Sequence, residues 1–346
     1  MNSSSVSHDA RPGLPIPRNF TIVLALCIVL LGASVFASLA WGSRPLSLHE
    51  LIDGLFHPDV DSYGANIVRK RISRTVFSLM CGGALGVSGA LMQAVTRNPI
   101  ADPSILGVNM GASLFVVCGI AFLNIGTANQ YIWLALAGAA ITAVFVFGIG
   151  SMGRGGATPI KLVLAGAATS AALASLVAAV LIPRSYVMDQ FRFWQVGSVG
   201  SATWSGIATF VPFLLVGILI AVLTAPALNA LALGDDVATG LGVRTGTLRL
   251  IAALGGVLLC GAATALAGPI GFVGLLATHV VRLMLGPDLR FVIPMSAIAG
   301  AIILTVSDVA GRLIGRPGEL EVGVVTAFIG APILIILAMR SKVRAL

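Results

Sequence analysis

The stretch TRNPIADPSILGVNMGAS, residues 96–113, interrupts two long apolar runs of a 346-residue chain. It holds an arginine, an aspartate, two asparagines and two prolines, whereas residues 75–95 before it contain no charged side chain. Two dipeptides in it, Asn-Pro at 98–99 and Asp-Pro at 102–103, each combine a capping side chain with a proline at the first helical position. The pattern predicts a chain that ends one helix, makes a short turn and begins another.

The composition excludes an ordinary soluble protein. Hydrophobic residues make up 57% of the chain and charged residues only 10%, whereas soluble domains are about 25% charged. A helix that crosses a bilayer takes about 20 apolar residues. Four runs without any charged side chain are at least that long, namely 75–95, 131–151, 204–234 and 250–281. The chain is therefore predicted to be an all-α integral membrane protein.

Apolar length, read against proline, glycine and charge, divides the chain into ten predicted membrane segments. The run 250–281 is too long for one crossing, and AGPIG at 267–271 supplies a break, because proline lacks a backbone donor and glycine permits a tight turn. The 41 glycines indicate close helix packing in a compact bundle. The ten segments are 20–41, 75–96, 104–123, 131–150, 161–182, 205–226, 248–267, 270–286, 291–312 and 321–340.

The two ends of the chain are predicted to lie on the cytoplasmic side. The uncharged run 19–43 exceeds the roughly 7–15 residues of a signal-peptide core, so it is expected to stay as the first span. With the N-terminus inside, twelve Lys and Arg residues fall inside and nine outside, a weak bias under the positive-inside rule. The predicted organisation is a tail at 1–19, a transmembrane domain at 20–340 and a tail at 341–346.

Four of the nine outer charges lie within RKRISR at 69–74, so a reason other than topology is expected for that cluster.

Metal, cofactor and nucleic-acid sites are not predicted. The cysteines are scattered within apolar runs, whereas metal and disulfide sites need clustered ligands. The net charge of +8 is spread between the membrane segments, without the aromatic and basic patch that single-strand binding requires. Scattered histidines and carboxylates likewise argue against an enzyme. The four cysteines are Cys27, Cys81, Cys118 and Cys260.

Two carboxamides in the opening stretch need a further explanation. Ordinary capping of a connecting turn accounts well for Asp102 and for the prolines. It accounts less well for Asn98 and Asn109, because polar groups at membrane depth usually face a cavity. We therefore expect Asn98 and Asn109 to border a cavity or a path through the protein.

The opening stretch resembles a segment of a family of membrane transporters, and a transporter needs a driving force. None of the lysines follows a glycine, so the chain has no phosphate-binding P-loop. Proton coupling would need a carboxylate within a span. Asp308 is the clear candidate, but its spacing to Arg312 favours a helical ion pair over a proton relay. We therefore expect the energy to come from a partner protein.

The longest inner connection, ALNALALGDDVATGLGVRTG at 227–246, is the expected contact with that partner. It is predicted to form two short helices separated at Gly234. Asp235 and Asp236 would begin the second helix, where negative charge is favourable, and Gly242 would end it. A capped surface loop and a lever clamped between two spans both fit this pattern.

Four segments of the chain resemble the FecCD/BtuC permease family, the membrane subunits of bacterial ABC importers for iron-siderophores, haem and vitamin B12. Their order and spacing match that family from residue 45 onward. QFRFWQVGS at 190–198 and GVNMGAS at 107–113 are similar to the members that import ferric enterobactin. The four segments are TRNPIADPSILGVNMGAS, LALGDDVATGLGV at 231–243, GPIGFVGLLATHVVRLMLG at 268–286 and ELEVGVVTAFIGAPILI at 319–335.

The resemblance implies a permease subunit of an ATP-driven importer in the cytoplasmic (inner) membrane, with a ferric siderophore as cargo. Haem and cobalamin are alternative cargoes within the family, and a stand-alone secondary transporter is the competing class. The implied partners are ATPase subunits, a soluble or lipid-anchored substrate-binding protein, membrane lipid and a second permease subunit. That second subunit would be identical or related, and the enterobactin-like features favour a related one. No cofactor and no catalytic residue is implied.

The resemblance also assigns roles to residues at the two faces of the membrane. Docking of the binding protein is implied for Arg71, Arg74 and Arg312, although anchoring in lipid headgroups is an alternative for basic residues at this depth. The segment 182–204 resembles a cap over the outer mouth, and interfacial anchoring explains its aromatic residues equally well. Contact with the ATPase is implied for a coupling segment at 227–247, through Leu233, Gly234, Asp235, Asp236, Leu241 and Gly242.

A path between two copies of the fold is implied as well. Its cytoplasmic gates would lie near Asn98 and near the turn GGATPI at 155–160, with Thr158, and Asn109 would border the path.

Overall fold

Apolar helices account for nearly all of the structure, a computed structural model that describes residues 17, 19–57, 59–126, 128–153 and 158–340. In those ranges the chain forms thirteen α-helices and one 3-10 turn, Pro103–Leu106, and no β-strand. The predicted all-α fold class is therefore confirmed. Most of the predicted tails lies outside the described residues, and so do positions 154–157 of the GGATPI turn.

Ten of the helices, all but α2, α7 and α9, follow the ten predicted segments in order. Seven of the ten are long and apolar enough to cross a membrane by themselves, whereas α4, α11 and the apolar part of α13 are shorter. The helices of the described chain are α1 (Phe20–Ala40), α2 (Leu48–Phe56), α3 (Tyr63–Thr96), α4 (Val108–Leu123), α5 (Ala128–Ser151), α6 (Pro159–Leu181), α7 (Ser185–Gln195), α8 (Trp204–Ala232), α9 (Asp235–Gly240), α10 (Thr245–Ala267), α11 (Val273–Leu285), α12 (Leu289–Ile314) and α13 (Val322–Arg340).

Helix α11 is too short to cross a bilayer alone. Its 13 residues cover about 20 Å at about 1.5 Å per residue, against a hydrocarbon core of about 30 Å. The break predicted at 267–271 is confirmed, since α10 ends and α11 begins on either side of it. This irregular stretch is covered by protein: Ile270 is buried, and Gly268 lies against the backbone of Trp194. Non-helical backbone at membrane depth is tolerated in such surroundings.

Helix α3 is the central element and packs against α10, α11 and α12. Its 34 residues give a length of about 51 Å, which exceeds the hydrocarbon core. The helix begins at Tyr63, whereas the sequence placed its start at residue 75. The start is fixed by Ser62, whose hydroxyl accepts a hydrogen bond from the Ala65 amide at 3.1 Å. The charged residues 69–74 therefore lie on the outer part of the helix and do not mark its boundary.

Helix α8 corrects the expected shape of the connection 227–246. It continues without a break to Ala232, with Pro226 inside it, so the first of the two predicted short helices does not exist as a separate element. Proline is tolerated within membrane helices, because neighbouring groups satisfy the backbone that it frees. The second short helix, α9, is present and follows Gly234, whose φ of 122° favours glycine.

Two ends of the bundle are named here after the predicted orientation. The outer end holds the end of α1, helix α2, the start of α3 and the connection from α12 to α13. The inner end holds the end of α3, the start of α6 and helix α9. Helices α1, α6 and α8 lie at the periphery, with few buried side chains.

Candidate functional site

Three arginines that were predicted to dock a partner converge at the outer end. We call Arg71, Arg74 and Arg312, together with Asp308 and Glu319, the outer arginine cluster. Arg74 contacts Asp308 through Nη2 at 2.7 Å and Glu319 through Nη1 at 2.6 Å. Arg312 Nη2 lies 2.9 Å from the other oxygen of Asp308, which confirms the ion pair predicted from their spacing. One buried carboxylate thus joins arginines from α3 and α12.

The other donors of the cluster cap the C-terminus of α1. Arg71 Nη1 donates to the Leu39 carbonyl at 2.9 Å, and Arg312 Nη1 donates to the Ser38 carbonyl at 3.0 Å. The last carbonyls of a helix lack intrahelical donors and carry its negative dipole end, so cations stabilise them. Arg71 is 6% exposed and Arg312 is 1% exposed. In this arrangement neither guanidinium faces a partner, and the docking role stays a prediction.

Arg74 and Glu319 border an outer cleft of about 570 Å³. Helix α7, from the segment predicted as a cap, contributes Gln190 and Trp194 to its wall. The carboxylate of Glu319 is partly buried, which raises its pKa, but the hydrogen bond and charge of Arg74 and the Ser43 hydroxyl outweigh that effect. The pKa of Glu319 therefore lies below its usual range. The ion pair between Arg74 and Glu319 therefore forms one wall of the cleft and is partly accessible to water.

A second ionic cluster ties the coupling segment to the bundle at the inner end. We call Arg97, Asp235 and Arg249 the inner coupling site. Both oxygens of Asp235 accept hydrogen bonds from Arg249, at 2.9 and 2.8 Å. One of them also lies 3.3 Å from Arg97. Helix α9 is thereby connected to buried Arg249 on α10 and to Arg97, the residue that caps α3.

Exposed apolar side chains flank helix α9 next to the inner coupling site. Leu233 and Leu241, which flank the helix, are 69% and 65% exposed. Gly234 and Gly242, with φ values of 122° and 83°, provide the turns before and after it. Asp236, in its first turn, is exposed. The six predicted coupling residues therefore belong to one short projecting element, whose uncovered apolar groups are typical of a contact surface.

Two of the three predicted gate residues lie together in an inner cleft of about 710 Å³. Asn98 and Thr158 line it, with Arg97 and apolar residues of α6. The Asn98 side chain accepts from the Ile100 amide at 3.1 Å and does not start a helix, so that part of the prediction is wrong. Asp102 does start the 3-10 turn, where it accepts from the Ser104 amide at 2.9 Å.

Asn109 lies elsewhere, at the contact between α4 and α10. Its Oδ1 accepts a hydrogen bond from Thr264 at 3.1 Å. Cys260, one turn away on α10, lies 3.9 Å from the same oxygen. In this arrangement Asn109 joins two helices and does not line the inner cleft.

Sequence reasoning missed the partners that hold these clusters. Glu319 belongs to a family-like segment, but nothing in one sequence pairs it with Arg74, 245 residues away. Arg97 and Arg249 were counted only as inner charges. For Arg249 the available signal was its position beside a long apolar run, because a buried charge needs a counter-charge or hydrogen-bond acceptors. Arg97, whose side chain is 40% exposed, gave no such signal.

The described part of the chain contains no group of three or more His, Cys, Asp or Glu residues that could hold a metal ion.

Comparison with known proteins agrees with the geometry. The chain is 39% identical over 319 residues to the probable siderophore transport system permease protein YfiZ of Bacillus subtilis, covering 92% of this chain and 96% of that protein. It is 41% identical over 315 residues to the ferric enterobactin transport system permease protein FepD of Escherichia coli, covering 90% and 93%.

A solved structure described as an inward-facing metal-chelate type ABC transporter superimposes with a TM-score of 0.79 at 25% identity. The match covers 93% of this chain and 99% of that one. The family model described as the FecCD transport family matches residues 28–340. The chain therefore belongs to the FecCD transport family.

Proposed function

We propose that this chain is the permease subunit of an ATP-driven importer that moves a ferric siderophore from an outer binding protein into the cytoplasm. The names of the relatives support the substrate class, since both describe siderophore transport. The segments 107–113 and 190–198 tilt the proposal toward a ferric catecholate of the enterobactin type. Haem and cobalamin are the alternative cargoes.

The observation that carries the proposal is the inner coupling site. A movement of α9 can open or close the path only if α9 is connected to the residues that border the inner cleft. Asp235 on α9 is held by Arg249 and by Arg97, and Arg97 directly precedes Asn98 in the inner cleft. A displacement of α9 by an ATPase subunit therefore pulls on the end of α3 where the proposed gate begins.

The exposed apolar side chains beside α9 support the ATPase as the occupant of this surface. Leu233 and Leu241 lie in the connection between α8 and α10 and are largely exposed. The same segment carries the two family-like aspartates, Asp235 and Asp236. ATP hydrolysis is assigned to the partner because this chain has no P-loop.

A second permease subunit is proposed to complete the path. The inner cleft holds Asn98 and Thr158 on one side and is bordered by α6, whose Ile160 and Leu164 are both 64% exposed. A half-open cleft with uncovered apolar walls is what one half of a two-subunit path presents. The proposed location is the cytoplasmic membrane, with both termini inside.

Docking of the binding protein is proposed at the outer arginine cluster. Arg71 and Arg312 donate hydrogen bonds to carbonyls at the end of α1. Arg74 is therefore the arginine that a partner carboxylate would bind, in place of Glu319. The remaining surface of this end includes exposed basic residues, among them Arg44.

The test is reconstitution of the chain in vesicles with its ATPase, the second permease and the binding protein. Uptake of labelled ferric siderophore should require ATP inside and should stop when the ATPase is omitted. Uptake that persists without the ATPase and collapses with a proton uncoupler would establish a secondary transporter instead. Labelled haem and cobalamin, tested in parallel, decide between the cargoes.

A further inference from the structure

A groove at the inner end is distinct from the inner cleft and shares only Arg97 with it. It runs between the end of α3, the end of α8 and the connection from α11 to α12, with a volume of about 320 Å³. Three polar side chains line it, those of Gln93, Arg97 and Arg282, and the other lining residues are apolar. None of the described residues that line the groove is a carboxylate. We call this feature the inner groove.

Gln93 is buried in this groove without hydrogen bonds. The residue is 2% exposed, and neither Nε2 nor Oε1 has a partner in the described part of the chain. Buried polar side chains in folded proteins are nearly always paired. An amide with both atoms unmet needs a ligand that accepts one hydrogen bond and donates another.

Arg282 has the same deficiency. Its Nε is buried without a partner, and no ion pair or side-chain hydrogen bond involves its guanidinium within the described ranges. Two carboxylates at this end are already engaged. Asp235 holds Arg97 and Arg249, and Asp288 accepts from Asn229 at 2.6 Å. Within the described residues, Arg282 therefore has no carboxylate in contact with its guanidinium.

We infer that the inner groove binds a phosphate ester that carries a free hydroxyl. The planar fork of Arg282 suits a phosphate oxygen pair, and the Gln93 amide nitrogen donates to the same oxyanion. The hydroxyl then donates to Gln93 Oε1, so both unmet atoms of the amide are satisfied. Arg97, at the edge, adds a second positive charge.

The glycerol headgroup of an anionic phospholipid has this chemistry, and so does free glycerol phosphate. With the inner end on the cytoplasmic side, as proposed above, the lipid is favoured by position, because basic pockets between membrane helices at that face bind anionic headgroups. Leu283, the neighbour of Arg282 in sequence, is 75% exposed, as expected beside an acyl chain. Since Arg97 belongs to both the groove and the inner coupling site, the bound headgroup would stabilise the end of α3.

The experiment measures ligand binding by the purified full chain in detergent. Phosphatidylglycerol, phosphatidylcholine with the same acyl chains, glycerol phosphate and inorganic phosphate are titrated separately, with native mass spectrometry and thermal unfolding as readouts. Phosphatidylglycerol should bind and raise the unfolding temperature, whereas phosphatidylcholine should not. Protection by glycerol phosphate at equal concentration would identify a soluble ester as the source.

Arg282→Gln should weaken that binding about 10- to 100-fold, the range expected for a lost charge-assisted hydrogen bond. Arg290→Gln removes an exposed arginine from the same end of the bundle and should leave binding unchanged. Arg282→Lys keeps the charge but not the planar guanidinium, and it should give an intermediate loss of binding. This conservative variant separates loss of the phosphate contact from a folding defect in Arg282→Gln. Gln93→Leu should raise the unfolding temperature without lipid, because it removes an unpaired amide, and should abolish the lipid effect.

Equal stabilisation by the two phospholipids would overturn the inference. So would equal binding losses in the Arg282→Gln and Arg290→Gln variants. A third contrary result is an Arg282→Gln variant that binds lipid normally but loses affinity for the ATPase subunit, because the groove would then be part of a protein interface.

Discussion

Asp308 is the residue on which the outer arginine cluster depends, because one buried carboxylate serves Arg74 and Arg312 at once. Asp308→Asn leaves both arginines buried without a full counter-charge, and removing one partner of a buried ion pair typically costs about 3–5 kcal/mol. We expect the variant to unfold at a clearly lower temperature in detergent, or to fail to accumulate in the membrane. Asp189→Asn, which removes an exposed carboxylate 3.4 Å from Arg192, is the control and should change nothing measurable. Equal behaviour of the two variants would contradict the role given to Asp308.

Glu319 should make the stability of the outer end depend on pH. Its pKa lies below the usual range in the folded protein, so the contact with Arg74 is fully present above the unfolded pKa, about 4.3. That stabilisation is lost as the pH falls through the lower, folded pKa. Unfolding temperatures of the wild type between neutral and acidic pH should therefore fall more steeply below about pH 4.3 than those of Glu319→Gln. Glu321→Gln, which changes a nearby carboxylate of the same connection, should retain the wild-type profile.

The ion pairs of the outer arginine cluster differ in how far sequence could predict them. Asp308 and Arg312 lie four residues apart on one helix, so their pairing follows from helical geometry alone. The pairing of Arg74 with Asp308 spans 234 residues, and that with Glu319 spans 245, and it depends on how α3 and α12 pack. The sequence showed only that RKRISR needed a reason besides topology. The structure supplies that reason for two of its arginines, one capping α1 and the other binding Asp308.

The packing of α3 on α12 depends on glycines that let the two backbones touch. A Cβ on Gly86 would collide with the Ser296 carbonyl, whereas a Cβ on Gly83 would meet the Ala297 carbonyl at an ordinary 3.5 Å. Gly86→Ala should therefore destabilise the bundle by about 1–3 kcal/mol, the usual cost of overpacking. Gly83→Ala, on the same helix, should be neutral or slightly stabilising, because alanine favours the helix over glycine. Thermal unfolding of both variants in the same detergent checks this, and similar midpoints would mean that the helices can separate at no cost.

The order of the ten apolar helices was predictable, but helix boundaries at the functional ends were not. Apolar length and the AGPIG break determine ten segments, because a bilayer imposes a minimum length on each crossing. Charge was misread as a boundary at the start of α3, since a helix longer than the membrane can carry arginines beyond the hydrocarbon. The predicted segment 205–226 ended too early, because α8 continues through Pro226 to Ala232. Asn98 was expected to cap a helix, yet its side chain closes a turn.

At the scale of the whole molecule, the two ionic clusters lie at opposite ends of α3. The outer cluster fixes the start of this helix to α1 and α12. The inner coupling site connects its C-cap residue, Arg97, to Asp235 on α9 and, through Asp235, to Arg249 on α10. Helix α3 therefore connects the proposed docking end with the proposed coupling end, and its rigid packing against α10, α11 and α12 makes it a suitable element to carry a displacement between them.

If α9 acts as the lever of an importer, breaking its tie should separate ATP hydrolysis from transport. Arg249→Gln removes two charge-assisted hydrogen bonds to Asp235 and leaves only the more exposed contact with Arg97. Each such bond is worth about 1.5–3 kcal/mol, so the docked position of α9 should lose at least about tenfold in population. Reconstituted vesicles should then keep most of their ATP hydrolysis while siderophore uptake falls by about an order of magnitude.

Arg290→Gln serves as the control for that experiment, because among the described residues its side chain makes no hydrogen bond or ion pair with α9. It should leave both rates unchanged. Normal uptake by a folded Arg249→Gln variant would show that the ion pair between Asp235 and Arg249 is not needed for coupling ATP hydrolysis to transport. A parallel fall in hydrolysis and uptake would instead show that Arg249 is needed for binding of the ATPase to the permease. Loss of the contact between α9 and α10 alone should leave ATP hydrolysis intact.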